Sequence, residues 1–226
     1  MTLPLSSGLA LPLLPSLRRS AACAVLAAGC LLPLAGAEAA EMRIDPGRST
    51  LLVKLYKDGP ASAFAHDHVV AARRFTGTIQ WDPARPEATR VQVEVEAATL
   101  DADEPGLRRR LSMSDMSEGT RADVQRTMVG ARQLDVASHP KIAFRSTAVE
   151  PQGEGRLLVR GELTLHGVTR PVSLPVTIDD LSSGAVRGRG TLRLKQSDYG
   201  ISPYRFAFGA VRNRDGVDLI LDLVAQ

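Results

Sequence analysis

Cysteine is almost missing from this chain: the 226 residues hold two, Cys23 and Cys30, and both fall in an N-terminal stretch that reads as an export signal. Removal of that stretch leaves no disulfide, no thiolate nucleophile and no cysteine metal site. Histidine is scarce too, at four, which leaves little material for a metal centre. Charge of one sign is also lacking: the formal net charge is +3, and such a balance gives no reason to propose nucleic acid as a partner. Missing as well are a Gly-x-Ser-x-Gly elbow, a His-Glu-x-x-His helix, a phosphate loop and a nucleotide fingerprint, so nothing points to an enzyme. Ser62, Ser138 and Ser197 could join a hydrolytic set only if the fold gathered a base beside one of them.

The apolar run Ala21 to Ala35 is shorter than the roughly 20 residues a bilayer-spanning helix needs. Arg18 and Arg19 precede it, and Ala37-Glu38-Ala39 follows with small residues where an export peptidase reads. This is the pattern of a secretory signal peptide over residues 1–39, delivering a single mature domain, 40–226, to the periplasm. A lesser alternative is cleavage before Cys30 in Leu26-Ala27-Ala28-Gly29-Cys30, which would make a lipoprotein.

What the mature chain does have is alternation. Leu157, Val159, Leu163 and Leu165 take one face of a segment, with Arg160, Glu162 and Thr164 on the other. Val172, Leu174, Val176 and Ile178 resume the pattern beyond a short Gly/Pro-containing connection, which indicates a hairpin. Strands are expected over 50–57, 70–81, 90–100, 142–150, 156–166, 171–179, 185–195 and 217–224. These segments suit a barrel or a two-sheet sandwich, and eight strands suffice to close a small barrel. Ile220 and Val224 make the last strand apolar on both faces and call for cover from another element; left bare, they would mark an interaction strip on a barrel filled by its own side chains. Ala97, Gly161, Gly188 and Gly190, in strand phase, leave room inside or relieve curvature.

Between the third and fourth strands the chain turns polar. Thr120 can cap a helix whose stripe holds Val124, Met128 and Val129, a cover or lid for one end of the barrel. The run Leu107 to Leu111, with Arg108, Arg109 and Arg110, reads as a solvated loop whose alternative use is transient contact with anionic headgroups at a membrane surface.

Several segments together resemble the YceI-like family of bacterial exported proteins: His66-Asp67-His68 ahead of Phe75-Thr76-Gly77-Thr78-Ile79, Ser138 to Ser146, Gly161 to Val172, and Ser197-Asp198-Tyr199-Gly200-Ile201. The resemblance spans nearly the whole mature domain. It implies an all-β fold, an eight-stranded antiparallel lipocalin-like barrel with a helical insertion, and a long pocket for a polyisoprenoid such as a quinone tail or polyprenyl lipid. Gln196 stands where the family commonly has arginine.

An isoprenoid chain offers almost no hydrogen bonds, so its tunnel should be walled by carbon. Apolar phase and aromatic type nominate Phe64, Phe75, Ile79, Val93, Met128, Phe144, Leu163, Leu165, Val176, Leu192, Phe206 and Phe208 as lining. His66, His68, His139, Arg170, Tyr199 and Tyr204 are nominated for a headgroup or mouth. His66 and His68 share one side of an extended segment and are read as a structural or headgroup-facing hydrogen-bond cluster, with a two-histidine metal site as the lesser alternative. No resident cofactor is expected beyond the carried lipid.

Overall fold

A computed structural model describes residues 40–181 and 184–226. The expected signal peptide, its two cysteines and both cleavage sites lie outside the described residues. The elements run β1 (Ala40–Arg43), β2 (Thr50–Asp58), β3 (His68–Ala72), β4 (Phe75–Trp81), β5 (Arg90–Glu96), β6 (Leu100–Ala102), α1 (Pro105–Arg110), α2 (Glu118–Val129), β7 (Lys141–Pro151), β8 (Arg156–Leu165), β9 (Val168–Asp180), β10 (Val186–Lys195), β11 (Arg205–Phe206) and β12 (Val211–Ala225).

The expected closed eight-stranded barrel does not form. All twelve strands belong to one sheet, ordered β1-β4-β5-β7-β8-β9-β10-β12-β2-β3-β6, with β11 paired to β12 off this path. The order is a path with two ends, and the result is a lipocalin-like open half-barrel. Two corners account for the difference. The segment 70–81 breaks at Arg73-Arg74, so β3 pairs with β2 while β4 pairs with β5. The segment 90–100 breaks at a 3-10 turn, Ala97–Thr99, so β5 pairs with β7 while β6 pairs with β3. The corners are bonded to each other: Glu96 N–H donates to the Arg74 carbonyl at 3.1 Å, and Arg74 N–H donates to Thr99 Oγ1 at 3.1 Å. Each corner shifts the alternation by one residue: Val70 and Ala72 face the interior before the first and Ile79 and Trp81 after it, Val93 and Val95 before the second and Leu100 after it.

The hairpin β8–β9 closes through His166 and Gly167, which both take positive φ, 51° and 72°. This is the backbone a two-residue turn needs to follow the right-handed twist of its strands. On the outer face cross-strand ion pairs replace the apolar phase, among them Arg193 Nε to Asp218 Oδ1 at 2.7 Å and Arg160 Nε to Glu150 Oε1 at 2.6 Å.

The Arg-rich run is a helix, not a solvated loop. Pro105 opens α1, and both carboxylate oxygens of Glu104 accept from the Gly106 and Leu107 N–H groups, at 2.8 and 2.6 Å. Leu107 is buried with Leu52, Val69 and Ala71 in a small second core, with Ile220 packed against it. The outer phase of β12 is thus covered, Val224 is buried as well, and no bare strip remains at Ile220 and Val224. In α2 the cap is Ser117, whose Oγ accepts from Thr120 N–H at 3.1 Å, and Gly130 ends the helix. No helix among the described residues is long and apolar enough to cross a membrane.

Candidate functional site: an apolar channel

The inward phases of β2 to β10 and β12 converge on a cavity of about 210 Å³. Its wall is hydrocarbon: Leu51, Val93, Leu174, Leu219 and their neighbours face it, and only Thr89 and Trp81 bring a polar side-chain atom. A second recess of about 350 Å³ lies beneath α2, lined by Val124, Met128, Leu134, Tyr204 and Asn213. Val53, Val70, Leu100, Ile142, Leu165 and Val217 border both, so the two spaces adjoin. Trp81, Thr89, Leu157, Val186 and Leu223 border the first space alone and mark its far end; the recess under α2, where Thr120, Asp123, Gln133, Gln196 and Asn213 join the lining, is the polar end and the candidate mouth.

Glycine shapes this space at two points. A β-carbon on Gly161 would lie 2.5 Å from the Phe144 ring, so the ring can lie across β8 only because residue 161 is glycine. Gly188 borders the channel itself, and a β-carbon there would meet Val176 and Ile178 at ordinary separations of 3.4 and 3.5 Å.

The wall also has a slit. β9 and β10 pair from Val186–Asp180 to Gly190–Val176 and no further, so Thr191–Lys195 stands apart from the first half of β9. Val172, Leu192 and Leu194 border both the channel and a groove that opens outward here. The 3-10 turn Gln196–Tyr199 closes onto this groove, held by Arg170 Nε donating to the Asp198 carbonyl at 3.0 Å. Tyr199 is 1% exposed, and its hydroxyl has no hydrogen-bond partner among the described residues. Burial, the largest influence on it, pushes this phenol above its usual range.

Of the twelve lining residues nominated from sequence, Ile79, Val93, Phe144, Leu163, Leu165, Val176 and Leu192 border the channel. Met128 borders the mouth, and Phe75 is buried in the surrounding core. Phe64, Phe206 and Phe208 are not brought there; all three stand in solvent. Of the polar nominees, Tyr204 and His68 border the mouth. His66 faces a separate recess beside Ser112 and Met113. Arg170 and Tyr199 flank the slit. His139 packs edge-on against His166 with ring centres 4.6 Å apart.

The His66-Asp67-His68 segment is tied into the fold. Asp67 Oδ1 accepts from Lys57 N–H at 2.8 Å, and His68 Nδ1 sits 2.7 Å from Asp103 Oδ2. Among the described residues no cluster of three or more His, Cys, Asp or Glu is placed to hold a metal ion. Asp103 also accepts from Val69 N–H at 3.1 Å and from Arg108 Nη1 at 2.5 Å. Burial by itself would raise this carboxyl, but the bonds from His68, Val69 and Arg108 outweigh it and hold Asp103 below the usual carboxylate range. Sequence reasoning missed Arg108, because three consecutive arginines look solvated. The signal for it was Glu104-Pro105, a cap followed by a first-turn proline.

Solved structures with this fold include BcnA of Burkholderia cenocepacia, at a TM-score of 0.65 and 20% identity over 81% of this chain and 99% of that one. Another is a polyisoprenoid binding domain from Saccharophagus degradans, at a TM-score of 0.55 and 13% identity over 84% and 98%. Curated relatives are closer in sequence. A UPF0312 protein of Pseudomonas putida strain W619 is 32% identical over 184 residues, 79% of this chain and 85% of that protein, and a UPF0312 protein of Pseudomonas savastanoi pv. phaseolicola is 33% identical over the same length. The YceI-like domain matches residues 43–225, and the chain belongs to this family.

Proposed function

We propose that the protein binds a long-chain isoprenoid, a quinone or polyprenyl lipid, or a lipid of similar shape, and carries or stores it in the periplasm after loss of residues 1–39. The observation that carries this reading is the composition of the channel wall, in which Thr89 and Trp81 alone bring polar side-chain atoms. Water gains little there, while a hydrocarbon chain gains about 25 cal/mol for each Å² it removes from solvent, before the costs of binding. The name given to the Saccharophagus degradans domain, polyisoprenoid binding, agrees with this chemistry. The polar rim of His68, Tyr204 and Asn213 at the mouth suits a headgroup left near water while the tail runs inward.

Trp81 makes the test direct, because it is the single tryptophan and borders the far end. A C18 fatty acid brominated near its methyl end quenches an indole only on close approach. Titration is expected to quench Trp81 to a plateau in the wild-type protein. Gly188→Leu, which fills the channel from β10 without a backbone clash, is expected to leave the fold intact and abolish quenching. Equal quenching in both proteins, or none in the wild type, would reject the channel as the binding site.

A further inference from the structure

The three phenylalanines that stay outside the channel point to a second site. Phe64 is 89% exposed, Phe206 63%, and Phe208 fully so. They sit on two loops that touch: the 3-10 turn Ser62–Phe64 between β2 and β3, and the segment from β11 into the turn Ala207–Gly209. Ala61 N–H donates to the Ala210 carbonyl at 2.9 Å and joins them. Gly59, at φ 98°, allows the closest approach, since a β-carbon there would lie 2.6 Å from the same carbonyl oxygen.

Nothing in the packing requires these rings to be aromatic. The backbone holds them out at a cost: Ala207 and Phe208 both take positive φ, 48° and 52°, a region a bulky side chain seldom enters and one found where structure serves a purpose other than stability. The flanking charge is basic. Residues 57–67 and 202–215 hold Lys57, Arg205, Arg212 and Arg214 against Asp58, Asp67 and Asp215; Asp58 pairs with Arg212, while Asp67 accepts from Lys57 N–H and Asp215 from Ser197. Arg205 and Arg214 form no ion pair among the described residues.

The position relative to the channel selects the occupant. Tyr204 and Asn213 border the mouth, and Asn213 N–H donates to the Tyr204 carbonyl at 3.0 Å. The phenylalanine loop is the direct continuation of the mouth, since Arg205 pairs with Arg212 and Phe206 with Val211. We propose that Phe64, Phe206 and Phe208, with Arg205 and Arg214, form a docking tip for an anionic bilayer surface that sets the channel mouth against the membrane. Aromatic rings favour the headgroup boundary and cations favour anionic leaflets. A second copy of the chain is the poorer occupant, because it would bring basic tip against basic tip. The inference deepens the lipid-carrier reading by naming the surface from which cargo is taken or to which it is given.

The test is sedimentation of the mature protein with vesicles of phosphatidylethanolamine and phosphatidylglycerol at 3:1, and with vesicles of phosphatidylcholine alone. Wild type is expected to sediment with the anionic vesicles, less so in high salt. The variant Phe64→Ser, Phe206→Ser, Phe208→Asn is expected to bind them at least tenfold more weakly; asparagine tolerates positive φ at 208. Arg205→Glu is expected to weaken anionic binding and leave the phosphatidylcholine signal unchanged. The same variants, titrated with the brominated fatty acid free of vesicles, are expected to quench Trp81 as wild type does. Equal vesicle binding by wild type and triple variant, no sedimentation of wild type, or a change of native mass in place of vesicle binding would overturn the docking tip. Vesicle binding without Trp81 quenching would instead reject the carrier reading and leave the tip standing.

Discussion

Arg108 donates to Asp103 at 2.5 Å with both side chains sealed from solvent, 2% and 0% exposed. The same guanidinium reaches the Ser114 carbonyl through Nε and Nη2, at 2.9 and 2.6 Å, and the Asp67 carbonyl through Nη1 at 3.0 Å. One side chain thus pins α1, the chain after it and the strand leading to the mouth. A buried ion pair contributes little net stability, yet removing one partner strands the other charge without solvent or counter-ion. Arg108→Ala is therefore expected to destabilise the protein by about 3–5 kcal/mol, measured by urea unfolding. Arg109→Ala, on the exposed side of α1, is the control and should change stability by less than about 0.5 kcal/mol.

Asp103 also makes stability depend on acid. Its carboxyl is held below the unfolded value, so its stabilisation is fully present above about pH 4 and is lost as pH falls through the folded-state value. The urea midpoint should decline with acidification below about pH 4, and the decline should be shallower in Asp103→Asn. An identical acid profile in that variant would show that other carboxylates dominate.

Gly161 and Phe144 form a second dependent pair. Adding a methyl at 161 would place it 2.5 Å from the ring and from the Arg145 carbonyl. Gly161→Ala is expected to cost about 1–3 kcal/mol, the range for overpacking. Gly161→Ala with Phe144→Leu should recover only part of it, because the carbonyl clash remains. Thermal unfolding of the four proteins of this cycle measures the coupling.

Two hydroxyls, Thr89 Oγ1 and Tyr199 Oη, are buried without a partner among the described residues. Removing an unpartnered polar group at constant shape relieves its desolvation penalty, so Thr89→Val and Tyr199→Phe should each raise stability by about 1 kcal/mol. A loss of stability in either variant would show that water or another group satisfies the hydroxyl.

The parts of this architecture set by local alternation were legible in the sequence. The hairpin of β8 and β9 and the apolar phase of β10 and β12 follow from a period of two, and seven strand residues picked by phase do border the channel. Topology was not read, because the one-residue phase shifts at Arg73-Arg74 and Ala97–Thr99 carry no glycine or proline to mark them and pass for continuous strands. Phe64, Phe206 and Phe208 were nominated by residue type and lie in no long strand phase; their loops expose them. The short pairing of β1, Ala40–Arg43 against Thr78 to Trp81 in β4, was invisible for another reason: four residues are too few to show a period.

The central claim is that the channel holds a lipid, and native mass spectrometry of the mature protein, purified without detergent from a bacterial periplasm, tests it most directly. The account predicts a species heavier than the polypeptide by one lipid, which organic solvent releases as an isoprenoid or similar long-chain molecule. A homogeneous polypeptide mass that gains nothing when incubated with ubiquinone or undecaprenyl phosphate would contradict it.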